Sequence, residues 1–166
     1  MVASMRIVSM PCVLVGVYPG QPAAVVHEGA KLADALGYPL VCAYSNPARY
    51  LVSEATDGSV TSASVDPDFA DDADADFPTG LAIALAGQLA TLHMPWRTLL
   101  LAGDPAQSLA RCANTLAAGM IVVGTHGDAH TSLRQVFSHS VAARLARQQH
   151  RPVLVIPTHH RPPEPK

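Results

Sequence analysis

Charged residues are scarce in this sequence: they make up 14% of the 166 residues and leave a net charge of −2. Proteins that bind nucleic acids or anionic membranes usually carry a strong positive excess, so this balance argues against both partners. Long apolar runs are also missing, and no stretch reaches the roughly 18 apolar residues that a membrane-spanning helix requires. We therefore expect a cytoplasmic protein that binds neither nucleic acid nor a membrane.

Cysteine is scarce as well, and the three that occur, Cys12, Cys42 and Cys112, follow no close spacing. An odd number of distant cysteines fits neither a disulfide framework nor a cysteine-based zinc site. Each lies in a segment predicted to be a strand or a helix, where cysteine usually serves as a small buried apolar side chain. The cysteines therefore indicate no redox or metal function.

Apolar segments of strand length alternate with segments of helical periodicity along the chain. The strand segments are continuously apolar, which is typical of strands that a parallel sheet buries on both faces. Strands and helices in alternation, joined by right-handed crossovers, predict a doubly wound α/β domain with five parallel strands and helices on both faces. The predicted strands are Pro11–Val17, Pro39–Tyr44, Trp96–Leu101, Met120–Val123 and Pro152–Ile156.

We expect a single domain over residues 11–157, after an N-terminal extension of residues 1–10. Residues 158–166 are polar and rich in proline, which predicts a disordered tail. Periodic patterns also stop between residues 46 and 78, where six aspartates occur from Asp66 to Asp76. This segment is predicted to be a long acidic loop. Its run Asp71–Asp76 lacks the turn glycine and closing glutamate of a calcium loop, so a solvated loop is favoured over a calcium site.

Two helix starts frame the C-terminal half of the chain. At the first, Asp104 can cap the helix, Pro105 suits its first position and Gln107 can complete a capping box. The second helix is predicted over Ser140–Gln149, after the stretch 124–140, "GTHGDAHTSLRQVFSHS". Because that stretch follows a buried strand and precedes a helix, it lies where α/β proteins commonly bind phosphate.

The most specific motifs lie in the C-terminal third of the chain. They are Val122-Val-Gly-Thr-His-Gly127, Ser140-Val-Ala-Ala-Arg-Leu145 and Arg151-Pro-Val-Leu-Val-Ile156, with weaker matches at Gly103–Ala106 and Val13–Val17. Together these stretches resemble the universal stress protein family over most of the chain. The resemblance implies a Rossmann-like sheet of the adenine nucleotide alpha hydrolase type, with the strand order 3-2-1-4-5.

The resemblance also has implications for partners and cofactors. It implies a homodimer that pairs through the last strand, Val153–Ile156, a short apolar edge that would invite pairing or aggregation if left uncovered. It further implies ATP or AMP with Mg²⁺ as the ligand of members that bind nucleotide, and protein partners for a branch that binds none.

In the ATP-binding branch, the loop after the fourth strand reads Gly-x2-Gly-x9-Gly-Ser/Thr. The first two glycines let the phosphates approach, and the last glycine and the hydroxyl residue open the next helix toward them. Gly124 and Gly127 match this pattern. Alignment back from Pro152 places His139 at the last glycine and Ser140 at the hydroxyl residue, in a loop two residues longer. A histidine at this position would crowd an incoming phosphate.

A second departure follows the first strand, where Tyr18 stands in place of an aspartate that helps the family hold the nucleoside. Tyr44 lies near the adenine-contacting end of the second strand. The two rings either stack on a base or fill the pocket from inside. Because an aspartate and a glycine are lost without an obvious replacement, we favour the filled pocket.

The loop keeps polar groups that can meet an anion, and Arg134 can pair with a phosphate in bidentate fashion. The alternative is that these are ordinary surface residues. His126, His130 and His139 lie on no regular helix and lack a fixed carboxylate partner, so no metal site is predicted. The candidate nucleotide-binding residues are Val17, Tyr18, Pro19, Tyr44, Gly124, Thr125, His126, Gly127, Arg134, Ser138, His139, Ser140 and Val141.

These observations favour a stress-response domain with an altered nucleotide pocket and weak or no ATP binding. The alternative is a genuine ATP- or AMP-binding member that acts as a nucleotide-dependent switch. No catalytic residues are predicted, because the sequence shows no Ser-His-Asp set and no carboxylate pair around the loop. At most, His126 and Asp128 would activate a water molecule for weak ATP hydrolysis.

Overall fold

The computed structural model describes residues 10–66, 68, 75–125 and 140–158 of the chain. Within these residues strands and helices alternate, except that two additional strands directly follow the second strand. In chain order the elements are β1 (Val13–Gly16), α1 (Ala24–Leu36), β2 (Leu40–Asn46), β3 (Arg49–Glu54), β4 (Val60–Ser64), α2 (Thr79–Gln88), β5 (Trp96–Ala102), α3 (Pro105–Thr115), β6 (Met120–Gly124), α4 (Val141–Gln148) and β7 (Val153–Ile156).

The central sheet confirms the predicted doubly wound fold. Its five parallel strands run in the order β5-β2-β1-β6-β7, which is 3-2-1-4-5 when these five are counted along the chain. β1 lies at the centre, where Val15 pairs with Cys42 of β2 and with Val122 of β6. All three side chains are fully buried. Because helices cover both faces, the strands read as continuous apolar runs rather than as alternating patterns.

Successive side chains of β1 point to opposite faces of the sheet and enter separate core clusters. Leu14 packs in a cluster with Leu109 of α3 and Leu145 of α4. Val15 packs in a second cluster with Val26 of α1. The sheet is therefore sandwiched between α3 and α4 on one face and α1 and α2 on the other.

The predicted acidic loop is corrected over residues 49–64, where β3 and β4 form an antiparallel hairpin. Gly58 turns the hairpin with a φ of +84°. A Cβ atom on Gly58 would lie 3.0 Å from Leu99 Cδ1 and 3.1 Å from Leu116 Cδ2, so the turn packs closely on β5 and the end of α3. The contacts of this turn anchor the hairpin on the domain, whereas its own short strands lie near the surface and leave Tyr50 and Val52 exposed.

The cysteines behave as small buried side chains, as the sequence predicts. All three are buried and unpaired. Burial raises the pKa of the Cys42 thiol to about 12, so this group is a poor nucleophile. Among the described residues, no helix is long and apolar enough to cross a membrane.

Candidate functional site

The carboxyl ends of β1 and β6 lie side by side at the point where the winding of the sheet reverses direction. Ligands of open α/β sheets commonly bind in the crevice at this point. After β1, Val17 is buried and its amide donates to the Ala43 carbonyl at 2.9 Å, which extends the β1–β2 ladder. The described range that contains β6 ends at Thr125. The pairing of β1 with β6 therefore brings Val17 and Thr125 to the same end of the sheet.

A tight turn follows β1 and directs Gln21 back toward the sheet. The Gln21 amide donates to the Tyr18 carbonyl at 3.2 Å, across the exposed residues Pro19 and Gly20. The Gln21 side chain then donates through Nε2 to the Gly16 carbonyl at 3.1 Å. Gln21 is absent from the predicted site residues, yet it occupies the space between the ends of β1 and β6.

Gly124 is enclosed by side chains of the protein itself. A Cβ atom at this position would lie 2.8 Å from Val25 Cγ2, 2.9 Å from Thr158 Cγ2 and 3.5 Å from Gln21 Nε2. Real Cβ atoms do not approach other atoms as closely as the first two distances. The close packing of α1 and of the segment after β7 therefore accounts for glycine here, independently of any phosphate.

Thr125 directs all of its polar groups toward β7 and the residues after it. Its amide donates to the Ile156 carbonyl at 2.9 Å. Its Oγ1 accepts from the Thr158 amide at 2.9 Å and lies 2.9 Å from Thr158 Oγ1. Its carbonyl accepts from the Thr158 hydroxyl. We call the three contacts with Thr158 the Thr125–Thr158 clasp. The sequence places Thr158 in the C-terminal tail, but the clasp fixes it at the site.

Ser140 begins α4, as the alignment back from Pro152 predicts. Its hydroxyl oxygen caps the helix by accepting from the Ala143 amide at 3.1 Å. Val141 is half-buried and packs against the core beneath α3 and α4. The hydroxyl residue of the family pattern therefore has a structural role here as the N-cap of a helix.

Arg144 holds the start of α4 against the start of α3. Its guanidinium donates two hydrogen bonds to the Asp104 carboxylate, at 2.7 and 2.8 Å. Asp104 also caps α3 by accepting from the Gln107 amide at 3.1 Å. Partial burial acts to raise the pKa of Asp104, but these hydrogen bonds together hold it below its usual value.

The two tyrosines lie in partly buried positions. Tyr44 packs against the core on the side of α1 and α2, and its ring meets that of Phe77 edge to face with centroids 6.3 Å apart. This contact favours a space-filling role for Tyr44 over stacking on a base. Burial raises the pKa of the Tyr18 phenol. Tyr18 therefore presents a neutral, bulky phenol directly after Val17.

Several predicted site residues lie outside the described part of the chain, namely His126, Gly127, Arg134, Ser138 and His139. The same holds for His130 and for residues 69–74 of the acidic segment. Within the ranges that the structure describes, no three histidine, cysteine or acidic side chains are grouped as metal ligands would be. The described site thus consists of Val17–Gln21, Gly124–Thr125, Ser140–Val141 and Thr158.

Many solved structures share the fold, and three of them illustrate the similarity. A universal stress protein from Archaeoglobus fulgidus in complex with dAMP is 17% identical, with a TM-score of 0.61 over 89% of this chain and 98% of that chain. A family protein from Burkholderia pseudomallei is 23% identical, with a TM-score of 0.59 over 90% and 98%. An Arabidopsis thaliana family protein with AMP bound is 13% identical, with a TM-score of 0.52 over 90% and 93%. Identities this low establish the fold alone.

No curated protein matches the sequence. The family model described as "Universal stress protein family" matches residues 12–157, which span the sheet, its helices and both sides of the crevice. The match agrees with the strand order, with the capped starts of α3 and α4, and with the motifs of the C-terminal third. The chain belongs to the universal stress protein family.

Proposed function

We propose that this chain is a stress-response domain with a nucleotide-type pocket at the carboxyl ends of β1 and β6, where ATP or AMP binds weakly. Membership of the family supports the role in stress response. Two proteins of the same fold were solved with dAMP or AMP, which supports an adenine nucleotide as the ligand class. The domain regulates other processes through ligand binding and association rather than by catalysis.

The observation that carries the weak affinity is the engagement of Thr125. A phosphate needs donors such as backbone amides and hydroxyl groups at the entrance of the loop. The Thr125 amide is bonded to Ile156, and its hydroxyl is within the clasp with Thr158. The space beside Gly124 is filled as well. A phosphate must therefore displace existing contacts at the entrance of the loop before it can bind there.

The residues at the nucleoside end of the crevice also favour weak binding. Tyr18 lacks a carboxylate that could accept a hydrogen bond from a ribose hydroxyl, and Tyr44 is packed on Phe77. Lost hydrogen bonds of this kind weaken binding by about tenfold each. Mg²⁺ would then be held mainly by the phosphates of ATP, as is common for this ion.

In the same proposal two copies of the chain associate through β7. This strand forms one edge of the five-stranded sheet and pairs only with β6 among the described strands. Its residue Leu154 is 37% exposed. A two-fold axis beside such an edge would bury the exposed leucine and pair the free backbone groups. The domain acts in the cytoplasm, where its three buried, unpaired cysteines would remain reduced.

Thermal unfolding in the presence of nucleotides tests the proposed function. With 5 mM ATP and Mg²⁺, or 5 mM AMP, we expect the melting temperature to rise by about 2 °C, as for a ligand with a Kd near 1 mM. Inorganic triphosphate at the same concentration is the control, and it should give a smaller rise. If no adenine nucleotide raises the melting temperature above this control, the domain is an interaction module that works without nucleotide.

A further inference from the structure

We infer that Thr158 is a reversible internal inhibitor of the pocket: it occupies the loop entrance, and a nucleotide must displace it to bind there. This inference rests on the proposed function, because it explains how the same pocket is kept closed. It assigns a regulatory role to the residue that directly follows β7 and Pro157. The inhibitory contact is the Thr125–Thr158 clasp.

The hydrogen bonds of the clasp form a closed set that leaves no donor for a ligand. The Thr158 amide donates to Thr125 Oγ1. The Thr158 hydroxyl donates to the Thr125 carbonyl. The Thr125 hydroxyl can then donate its own proton to Thr158 Oγ1, 2.9 Å away. A hydroxyl group has a single proton, so this assignment leaves Thr125 unable to donate to a phosphate while Thr158 is in place.

Thr158 also occupies the space that a ligand would use at the first loop glycine. Its Cγ2 atom lies 2.9 Å from the position of a Cβ atom on Gly124. The family pattern keeps glycine at this position so that the backbone can approach a phosphate closely. Here a threonine methyl group and the Gln21 amide lie beside the glycine. The clasp therefore blocks the loop entrance both by hydrogen bonding and by volume.

The clasp can open without disruption of the sheet. Thr158 is half-buried and lies two residues beyond the end of β7. The ladder between β6 and β7 runs from Ile121 and Val153 to Gly124 and Ile156, and it does not involve Thr158. Segments at the end of an element, with few buried contacts, open at a much lower free energy than the core. Release of Thr158 would free the Thr125 hydroxyl while β7 stays paired.

Substitution of Thr158 tests the inference in the full-length protein. Thr158→Val keeps the size and the amide but removes the hydroxyl, so it breaks two of the three contacts of the clasp. Thr158→Ser keeps the hydroxyl but removes the Cγ2 methyl group, so it isolates the steric part of the block. Thr61→Val, on the exposed face of the hairpin, is the matched control for the loss of a threonine hydroxyl elsewhere. Calorimetric titration with ATP and Mg²⁺ measures the affinity of each protein.

We expect Thr158→Val to bind ATP about 3- to 10-fold more tightly than the wild type, as the loss of one or two competing hydrogen bonds would give. Thr158→Ser loses only the blocking methyl group and should bind ATP about two- to fourfold more tightly than the wild type. Thr61→Val should equal the wild type. Amide hydrogen exchange gives an independent readout. In the wild type, saturating ATP should accelerate exchange of the Thr158 amide, because that amide loses its acceptor on Thr125.

The outcomes separate this inference from the proposed function. If wild type and Thr158→Val bind ATP equally, or if ATP leaves the Thr158 exchange rate unchanged, Thr158 is no inhibitor, although the nucleotide pocket stands. If neither protein binds any adenine nucleotide, both the inference and the proposed function are overturned. Binding by Thr158→Val alone would support both.

Discussion

The Arg144 guanidinium meets both carboxylate oxygens of Asp104, at 2.7 and 2.8 Å, and so joins the first turn of α4 to the N-cap of α3. The two side chains are about one-third exposed, at 35% and 33%. A bidentate pair in this position is stronger than an isolated surface ion pair but is still weakened by solvent. The pair fixes the start of α4 against the start of α3.

Replacement of Arg144 should destabilise the domain modestly. We expect Arg144→Met to lower the free energy of unfolding by about 1 kcal/mol, since the apolar stem is retained and only the ion pair is lost. Urea denaturation followed by circular dichroism measures the change. Arg147→Met is the matched control, because Arg147 is exposed on the same helix, and it should change stability by less than about 0.5 kcal/mol. Equal effects of the two substitutions would contradict the role of the pair.

The same pair predicts a pH dependence. The pKa of Asp104 is lower in the folded protein than in the unfolded chain, where it is about 3.9, so the unfolded state binds more protons in acid. The stability that Asp104 contributes is therefore complete above about pH 4 and is lost as pH falls through the folded-state pKa. Unfolding free energies of wild type and Asp104→Asn, measured from neutral pH to about pH 2, should converge in acid. A constant difference would show that Asp104 acts only as a neutral cap.

Gly124→Ala tests whether packing requires the first loop glycine. The new methyl group would meet Val25 Cγ2 at 2.8 Å and Thr158 Cγ2 at 2.9 Å. We expect a loss of about 1–3 kcal/mol in the free energy of unfolding, measured without nucleotide. Gly87→Ala is the matched control, because a Cβ atom there meets nothing within 4 Å and lies in a helix, where alanine is favoured. An unchanged stability of Gly124→Ala would indicate that the glycine serves a ligand instead.

The proposed dimer predicts a difference between two exposed leucines. Leu154 lies on the edge strand β7 and Leu36 lies at the end of α1, with exposed fractions of 37% and 44%. Leu154→Lys should weaken self-association at least about tenfold, because two charges would be buried beside the two-fold axis. Leu36→Lys should have no effect. Sedimentation velocity over a range of concentrations measures both, and a monomeric wild type would refute pairing through β7.

The sequence predicts the sheet because its signals are local. The uninterrupted run around Leu14 indicates a strand buried on both faces, and Asp104 and Ser140 are helix caps that depend on neighbours within three residues. These predictions are correct because, at these positions, the tertiary structure and the local sequence favour the same conformation.

The hairpin and the closure of the pocket escape sequence reasoning because both depend on distant residues. Val60 joins the core only because the turn at Gly58 lies on Leu116. Thr125 and Thr158 are 33 residues apart, and Thr158 stands in a polar, proline-rich tail. Gln21 carries no family motif. These residues could have been found only from the strand order, which places the carboxyl ends of β1, β6 and β7 side by side.

The affinity of the wild-type protein for ATP is the most direct test of whether the contacts between Thr125 and Thr158 close the loop entrance. Isothermal titration calorimetry with ATP and Mg²⁺ at 25 °C should give a Kd weaker than about 100 µM. A Kd of about 1 µM or tighter would show that the clasp does not close the loop entrance, because a phosphate would then bind without hindrance.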